Sequence, residues 1–413
     1  MKAYLPYILG GVFIFLLLDF YFLRSWTKYI KNQNFNPFFY RIFWFFSGLM
    51  LVMFIYLSFK RYSSEQPDEL SQILYTIEAI WFIPKIVIVP VLVFKDFFKF
   101  IFKKLVNKYK SVFAKKEQIA LEFDESKRKF LQNATWGLAG VPFLLVTDGL
   151  IHTTTNFKIY YIEVPVFNLP KQLDGFRIVQ ISDIHSGGFF DKAPLIEARR
   201  MINLLKPDII TITGDFVNFN PDELYLINSE LKQFYANYGV FGSLGNHDHY
   251  MSSENQEKLL NILENSGIDI LINENKIIKV QDAELQLIGV DNIGHGQSFG
   301  DIDLAVKGVD FSKPTVLLLH DPTFWEEKII SKYPIDITLS GHTHGGQFGF
   351  NMFGIEASQA MLFYKRWAGL HHIKDKYIYI NRGLGTTGPP IRVGINPEIT
   401  LLTLKPITNL VLQ

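Results

Sequence analysis

The stretch "FRIVQISDIHSGG", residues 176–188, decides how the chain is read. Its first half is an apolar, β-branched run of strand length, and its second half sets Asp183 and His185 one residue apart before two glycines. A short apolar run bounded by turn residues reads as a buried strand. This one ends in a carboxylate and an imidazole. The pattern recurs downstream: "PDIITITGD" (207–215) ends in Asp215, and "YGVFGSLGNHD" (238–248) ends in Asn246, His247 and Asp248. "PTVLLLHD" (314–321) reaches His320, and "IDITLSGHTHGG" (335–346) reaches His342 and His344. Five of the ten histidines therefore fall at strand ends, where open α/β sheets form their ligand crevice.

Between these runs, "APLIEARRMINLL", "PDELYLINSELKQFYANY" and "ENQEKLLNILENSG" carry apolar residues at three-to-four spacing and read as covering helices. Strands alternating with helices predict a layered α/β domain over residues 156–408.

The first 151 residues are different. Four stretches are long and apolar enough to cross a bilayer, at 5–23, 42–59, 73–94 and 134–151. The third holds Glu78, Lys85, Pro84 and Pro90; Glu78 and Lys85 lie two turns apart on one helical face, placed to pair or to meet other helices. Basic residues set the expected orientation. The first loop carries Arg24, Lys28, Lys31 and Arg41, and the third carries eleven Lys or Arg. The second has only Lys60 and Arg61, offset by Glu65, Asp68 and Glu69. "SKRKFLQNATWGLAG" also resembles a twin-arginine export signal, with Lys127 where the first arginine would stand. Both features predict a multi-pass protein of the cytoplasmic membrane with its α/β domain on the outer side.

With 413 residues, more than one domain is expected. A formal net charge of +1 and the absence of a basic stripe argue against a nucleic-acid partner. The chain has no cysteine, which excludes disulfides and thiolate zinc sites of the finger type.

One Asp after a strand is usually a helix cap or turn residue, and one His is usually packing or surface. His152 and His295 are read that way, and His371 and His372 are given no role. The set at the strand ends is another matter. Carboxylates, imidazoles and one amide suit borderline divalent ions such as Mn, Fe or Zn.

In order, Asp-x-His, Gly-Asp, Gly-Asn-His-Asp, a later His and Gly-His-x-His resemble the calcineurin-like metallophosphoesterases, from about Tyr160 to Leu404. "NLPKQLDGFRIVQISDIHSGG" and "NRGLGTTGPPIRVGINPEITLLTL" resemble the membrane-associated bacterial branch of that family, which includes export-dependent cell-wall phosphoesterases and enzymes acting on UDP-diacylglucosamine. The resemblance implies a two-sheet β-sandwich flanked by helices, after an α-helical transmembrane unit. It implies two divalent metal ions, the first held by Asp183, His185 and His344, the second by Asn246, His320 and His342, with Asp215 bridging. It implies hydrolysis of a phosphate ester, phosphodiester or pyrophosphate by a metal-bridging hydroxide. His247 would protonate the leaving group or stabilise the equatorial oxygens, and Asp248 would hold its ring. Arg382 is a candidate for contact with a substrate phosphate, its fork matching the phosphate oxygens; Arg392 reads more readily as structural. Asn218 stands where many members carry a second acid. The expected substrate is a phosphorylated small molecule or a lipid-linked envelope compound. A non-catalytic membrane sensor or transport component using the same pocket is the alternative.

Overall fold

The computed structural model describes residues 5–62, 69–113, 125–294, 296–352 and 355–407. Glu65, Asp68, part of the basic third loop and His295 lie outside these residues. The chain divides into two compact units, Met1–Asp148 and Gly149–Gln413.

Among its described residues the first unit is built on four helices: α1 (Leu5–Asn32), α2 (Phe38–Tyr62), α3 (Glu69–Phe113) and α4 (Glu125–Ile151). Each contains a segment long and apolar enough to cross a membrane. The third departs from its expected end at Phe94 and continues for 45 residues in all. No glycine or proline follows Pro90 before Phe113, so nothing stops it. Pro84 and Pro90 are carried inside it, as in membrane helices whose neighbours satisfy the freed carbonyls. Lys85 does not pair with Glu78. It forms a fully buried ion pair with Asp19 of α1, and its ammonium lies 3.4 Å from the Trp81 ring centroid. Asp19 also accepts from Ser47 Oγ and from Trp81 Nε1 at 3.2 Å. Glu78 is buried with one carboxylate oxygen lacking a hydrogen-bond partner.

The second unit contains sixteen strands among the described residues. The first sheet joins β1 (Lys158–Val166), β2 (Arg177–Ile181), β3 (Ile209–Thr213), β4 (Val240–Ser243), β5 (Ile268–Ile270) and, last in the chain, β16 (Glu398–Pro406), in the order β1-β16-β2-β3-β4-β5. The second uses β6 (Glu274–Val280), β7 (Ala283–Gly289), β10 (Thr315–Leu318), β11 (Ile337–Ser340), β14 (Gly369–Ile373) and β15 (Lys376–Ile380), in the order β14-β15-β11-β10-β7-β6. Two ribbons, β8 (Ile293–Gly294) with β9 (Gln297–Ser298) and β12 (Gly349–Met352) with β13 (Ile355–Ser358), lie outside the sheets.

Strand periodicity builds the layers. Ile178, Ile209, Leu285, Leu287, Val316, Leu318, Ile337 and Leu339 pack between the sheets. Their neighbours Val179, Ile181, Ile210 and Ile212 turn to the other face, against Leu195 and Ile202 of α5 (Ala193–Leu204) and against Leu259 and Leu263. The expected helix over 221–238 is broken into a 3₁₀ turn, Pro221–Leu226, and one helical turn, α6 (Asn228–Leu231). Asn220 and Glu223 form a capping box there, and the Glu223 carboxylate is committed to neighbouring backbone. The third expected helix is α7 (Ser253–Glu264), capped by Ser252.

Candidate metal centre

β2, β3 and β4 are parallel neighbours in one sheet, and β10, β11 and β15 in the other. The segments that leave their carboxyl ends converge. His185 and His344, 159 residues apart, bring their Nε2 atoms to 3.0 Å. His344 Nε2 lies 3.3 Å from Asp183 Oδ1, and His185 Nε2 lies 3.5 Å from Asp215 Oδ2. That same Asp215 oxygen is 3.2 Å from His320 Nε2, which in turn is 3.3 Å from Asn246 Oδ1. Two groups result: Asp183, His185, Asp215 and His344, and Asp215, His320 and His342, with donor atoms of each group within 4.8 Å of one another. Asp215 belongs to both.

This geometry fits cations. Nitrogen and oxygen ligands held at about 2.0–2.2 Å from one ion stand roughly 3.0–3.5 Å apart in octahedral or tetrahedral arrangements. The observed separations of 3.0–3.5 Å fall there. His185 Nδ1 and His344 Nδ1 are buried without hydrogen-bond partners. His320 Nδ1–H donates to the Thr213 carbonyl at 2.6 Å, which leaves Nε2 as its ligand atom.

The backbone is bent to achieve this. Asp183, Asp215, His185, His342 and His344 all have positive φ, between 44° and 69°. Each costs of order 1 kcal/mol or more for a residue with a Cβ, and such strain collects at functional sites. Close approach of the two sheets' loops does the rest. A Cβ on Gly341 would overlap Ser182 Oγ and the Asp183 carboxylate, and one on Gly214, at φ +85°, would meet Gly245 N and His320 Nδ1 at 2.6 Å.

Charge follows from burial. Burial opposes ionisation of Asp215, but His320, His185 and His247 outweigh it and hold the carboxyl well below the usual range. Burial likewise opposes a charge on His320, yet the Asp215 carboxylate overrides it and raises the imidazole to about 10. At His247 burial wins and lowers the imidazole to about 4, against the pull of Asp215.

Asp248 does not hold the His247 ring. Its carboxylate, fully buried, accepts backbone N–H groups from Asp215 (2.8 Å), Phe216 (2.9 Å), Val217 (3.4 Å) and Gly245 (2.9 Å). Acceptors for those donors are scarce at two strand ends stripped of ladder partners, so the carboxylate becomes a staple between the Asp215 and Asn246 loops. The His247 ring is held instead by the Asn218 carbonyl, which accepts from Nδ1 at 2.8 Å. Asp215 Oδ1 accepts the His247 backbone N–H, also at 2.8 Å.

Arg382 is a second correction. Its guanidinium donates to Glu398 at 2.6 Å and to Glu356 at 2.7 Å, lies over the Tyr160 ring, and is 5% exposed. The fork is taken by carboxylates and does not reach the cavity. Arg392 is buried against the carbonyls of Arg382, Gly383 and Gly385.

Some contributors had no signal in the spacing. Glu223 accepts four backbone N–H groups, from Gly187, Asn218, Phe219 and Asn220, tying the His185 loop to the Asn218 loop. His249 pairs with Asp291 at 2.7 Å and stacks on Phe299. A cavity of about 380 Å³ opens over the site, floored by Asp215, Asn246, His247, His342 and His344 and walled by Gln347, Phe348, Gln359, Phe363 and Tyr364.

Residues 176–346 match the calcineurin-like phosphoesterase family, and residues 5–153 match a family described as a probable calcineurin-like phosphoesterase, transmembrane domain. An uncharacterized metallophosphoesterase of Aquifex aeolicus is 31% identical over 62% of this chain and 97% of its own. The chain belongs to the calcineurin-like metallophosphoesterases. An uncharacterized metallophosphoesterase of Campylobacter jejuni is 29% identical over 95% of this chain and 98% of its own. A zebrafish transmembrane protein with metallophosphoesterase domain is 30% identical over 63% of this chain and 60% of its own. This chain thus spans about three-fifths of the zebrafish relative and nearly all of the two bacterial ones. With a matching transmembrane-domain family and four membrane-length apolar helices among the described residues, it is a membrane protein.

Proposed function

We propose that this metallophosphoesterase hydrolyses phosphate ester, phosphodiester or pyrophosphate bonds with two divalent cations, drawn from Mn, Fe and Zn. Asp183, His185 and His344 would hold one, Asn246, His320 and His342 the other, and Asp215 both. The observation that carries this reading is one carboxylate oxygen, Asp215 Oδ2, standing 3.5 Å from His185 Nε2 and 3.2 Å from His320 Nε2. When bound, such a pair supplies Lewis-acid stabilisation of phosphoryl oxygens and an acidified water as nucleophile.

The remaining chemistry belongs to the chain. The Asn218 carbonyl keeps the His247 proton on Nδ1 and leaves Nε2 for the cavity that the ring lines. Burial keeps that imidazole neutral at neutral pH. An anionic phosphate supplies the charge that favours a second proton, on Nε2, within reach of the leaving oxygen. Asp248 and Glu223 act earlier, by gripping the loops on which the ligands ride.

The membrane helices suggest substrates that reside in or on a membrane, with lipid-linked or envelope phosphates as the class. The asymmetry of basic residues supports the cytoplasmic membrane, with the phosphoesterase domain outside. The test is a substrate panel on metal-reconstituted full-length protein: bis(p-nitrophenyl) phosphate, UDP-sugars and phospholipids. Turnover of soluble nucleotides with none of envelope phospholipids would defeat the substrate class. No turnover of any phosphate by fully metallated protein would defeat the enzyme and favour a sensor. A reporter fused at the C-terminus reads the orientation.

A further inference from the structure

The rim of the active-site cavity carries an apolar surface that folding does not use. Met361, Leu362 and Phe363 are 53%, 80% and 78% exposed, and Phe350, on the neighbouring ribbon, is 53% exposed. Three consecutive large apolar residues in water weaken solubility and contribute nothing to a core. Yet the segment is firmly built. Gln359–Leu362 form a 3₁₀ turn capped by Ser358, whose hydroxyl donates to the Gly345 carbonyl at 2.5 Å. Gln359 donates from its side chain to Gly346 O at 2.6 Å and from its backbone to Phe348 O at 3.1 Å. The exposed turn is thus pinned to the loop that carries His344, and Phe363 itself lines the cavity.

We propose that this rim, centred on Met361, Leu362 and Phe363, inserts into the lipid–water interface. Three observations favour a bilayer over a protein partner. Among the described residues are four helices of membrane-crossing length, so a bilayer is the apolar phase to which this domain is tethered. Lys365 and Arg366 follow the apolar run and share a single carboxylate, Glu326, which leaves one net positive charge beside it. Apolar side chains next to a basic edge suit an anionic lipid surface. The rim is also continuous with the cavity, so insertion would open the site toward headgroup phosphates that never leave the membrane. That last consequence rests on the phosphoesterase reading; the insertion does not.

The chain has no cysteine, so one introduced thiol labels a unique site. Full-length Leu362→Cys, labelled with an environment-sensitive nitrobenzoxadiazole dye, is placed in nanodiscs of phosphatidylethanolamine and phosphatidylglycerol with doxyl-labelled acyl chains. Tyr235→Cys and Ile277→Cys, at exposed positions elsewhere on the domain, serve as controls. The expected result is blue-shifted emission and loss of most of the intensity at 362, with neither change at 235 and 277. Adding Met361→Asp should return the 362 label to aqueous emission. A 362 label quenched no more than the controls overturns the proposal. So does a blue shift without doxyl quenching, which would mean a protein surface, including a second copy, covers the rim. Neither readout requires turnover, so an inactive preparation still decides the matter.

Discussion

Truncating Asp248 separates the stapling role from any direct part in catalysis. In Asp248→Ala, three close backbone donors lose their acceptor: Asp215 at 2.8 Å, Phe216 at 2.9 Å and Gly245 at 2.9 Å. All three residues are buried. An unsatisfied buried donor costs about 1–3 kcal/mol, which sums to roughly 3–9 kcal/mol. A water entering the space left by the carboxylate recovers part of this, so about 3–5 kcal/mol is expected, against a typical domain stability of about 5–15 kcal/mol. The loss is local, because both loops depend on the same group. Hydrogen exchange by mass spectrometry reads it directly: peptides covering residues 213–218 and 243–248 should exchange about 100- to 4,000-fold faster, at roughly 1.4 kcal/mol per decade. Bound metal should fall in parallel. If exchange in both peptides stayed at wild-type rates while turnover collapsed, the staple would be wrong and a direct role beside His247 would return.

Four further outcomes follow from the same geometry. His247→Asn should lower kcat about 10²–10⁴-fold with metal content unchanged, as expected for loss of a proton donor; equal loss of metal would make His247 a ligand-shell residue. His320 is raised to about 10 by Asp215, so a cation taking its Nε2 must displace a proton at neutral pH. Apparent metal affinity should therefore rise about tenfold per pH unit between pH 6 and 8 with proton release in calorimetry, and a flat profile would count against it. Lys85→Met strands the Asp19 carboxylate inside the helical unit at a cost of about 3–5 kcal/mol, and Asp19→Asn combined with Lys85→Met should restore most of the lost thermal stability in detergent. Arg382→Ala should lower the unfolding temperature and leave KM for a soluble phosphodiester unchanged, because its fork holds Glu398 and Glu356; a raised KM at constant stability would restore it as a phosphate contact.

Much of the architecture was legible in the linear chain. Apolar runs ending in Asp or His revealed both the strands and the candidate ligands, because a strand's exit is where backbone geometry frees a side chain to face a crevice. Four membrane-length helices were legible for an equally local reason, since about 20 apolar residues have no other comfortable solvent. Helix ends were less so. The third helix outran its apolar stretch because no glycine or proline follows Pro90 before Phe113, and the segment expected as one helix from Pro221 onward folds as a 3₁₀ turn followed by the single helical turn α6.

The sequence by itself determined which residue types gather at the site, because local periodicity and strand-end chemistry repeat five times. What each polar group does among the others was decided only by tertiary structure. Asp248 faces four N–H groups, Asn218 offers its carbonyl rather than its amide to His247, and Arg382 is spent on two carboxylates. The physical reason is that a buried donor or acceptor is costly without a partner, and those partners come from segments as far as 201 residues apart, as Gln180 and Asn381 are. Spacing along a chain carries no record of that search.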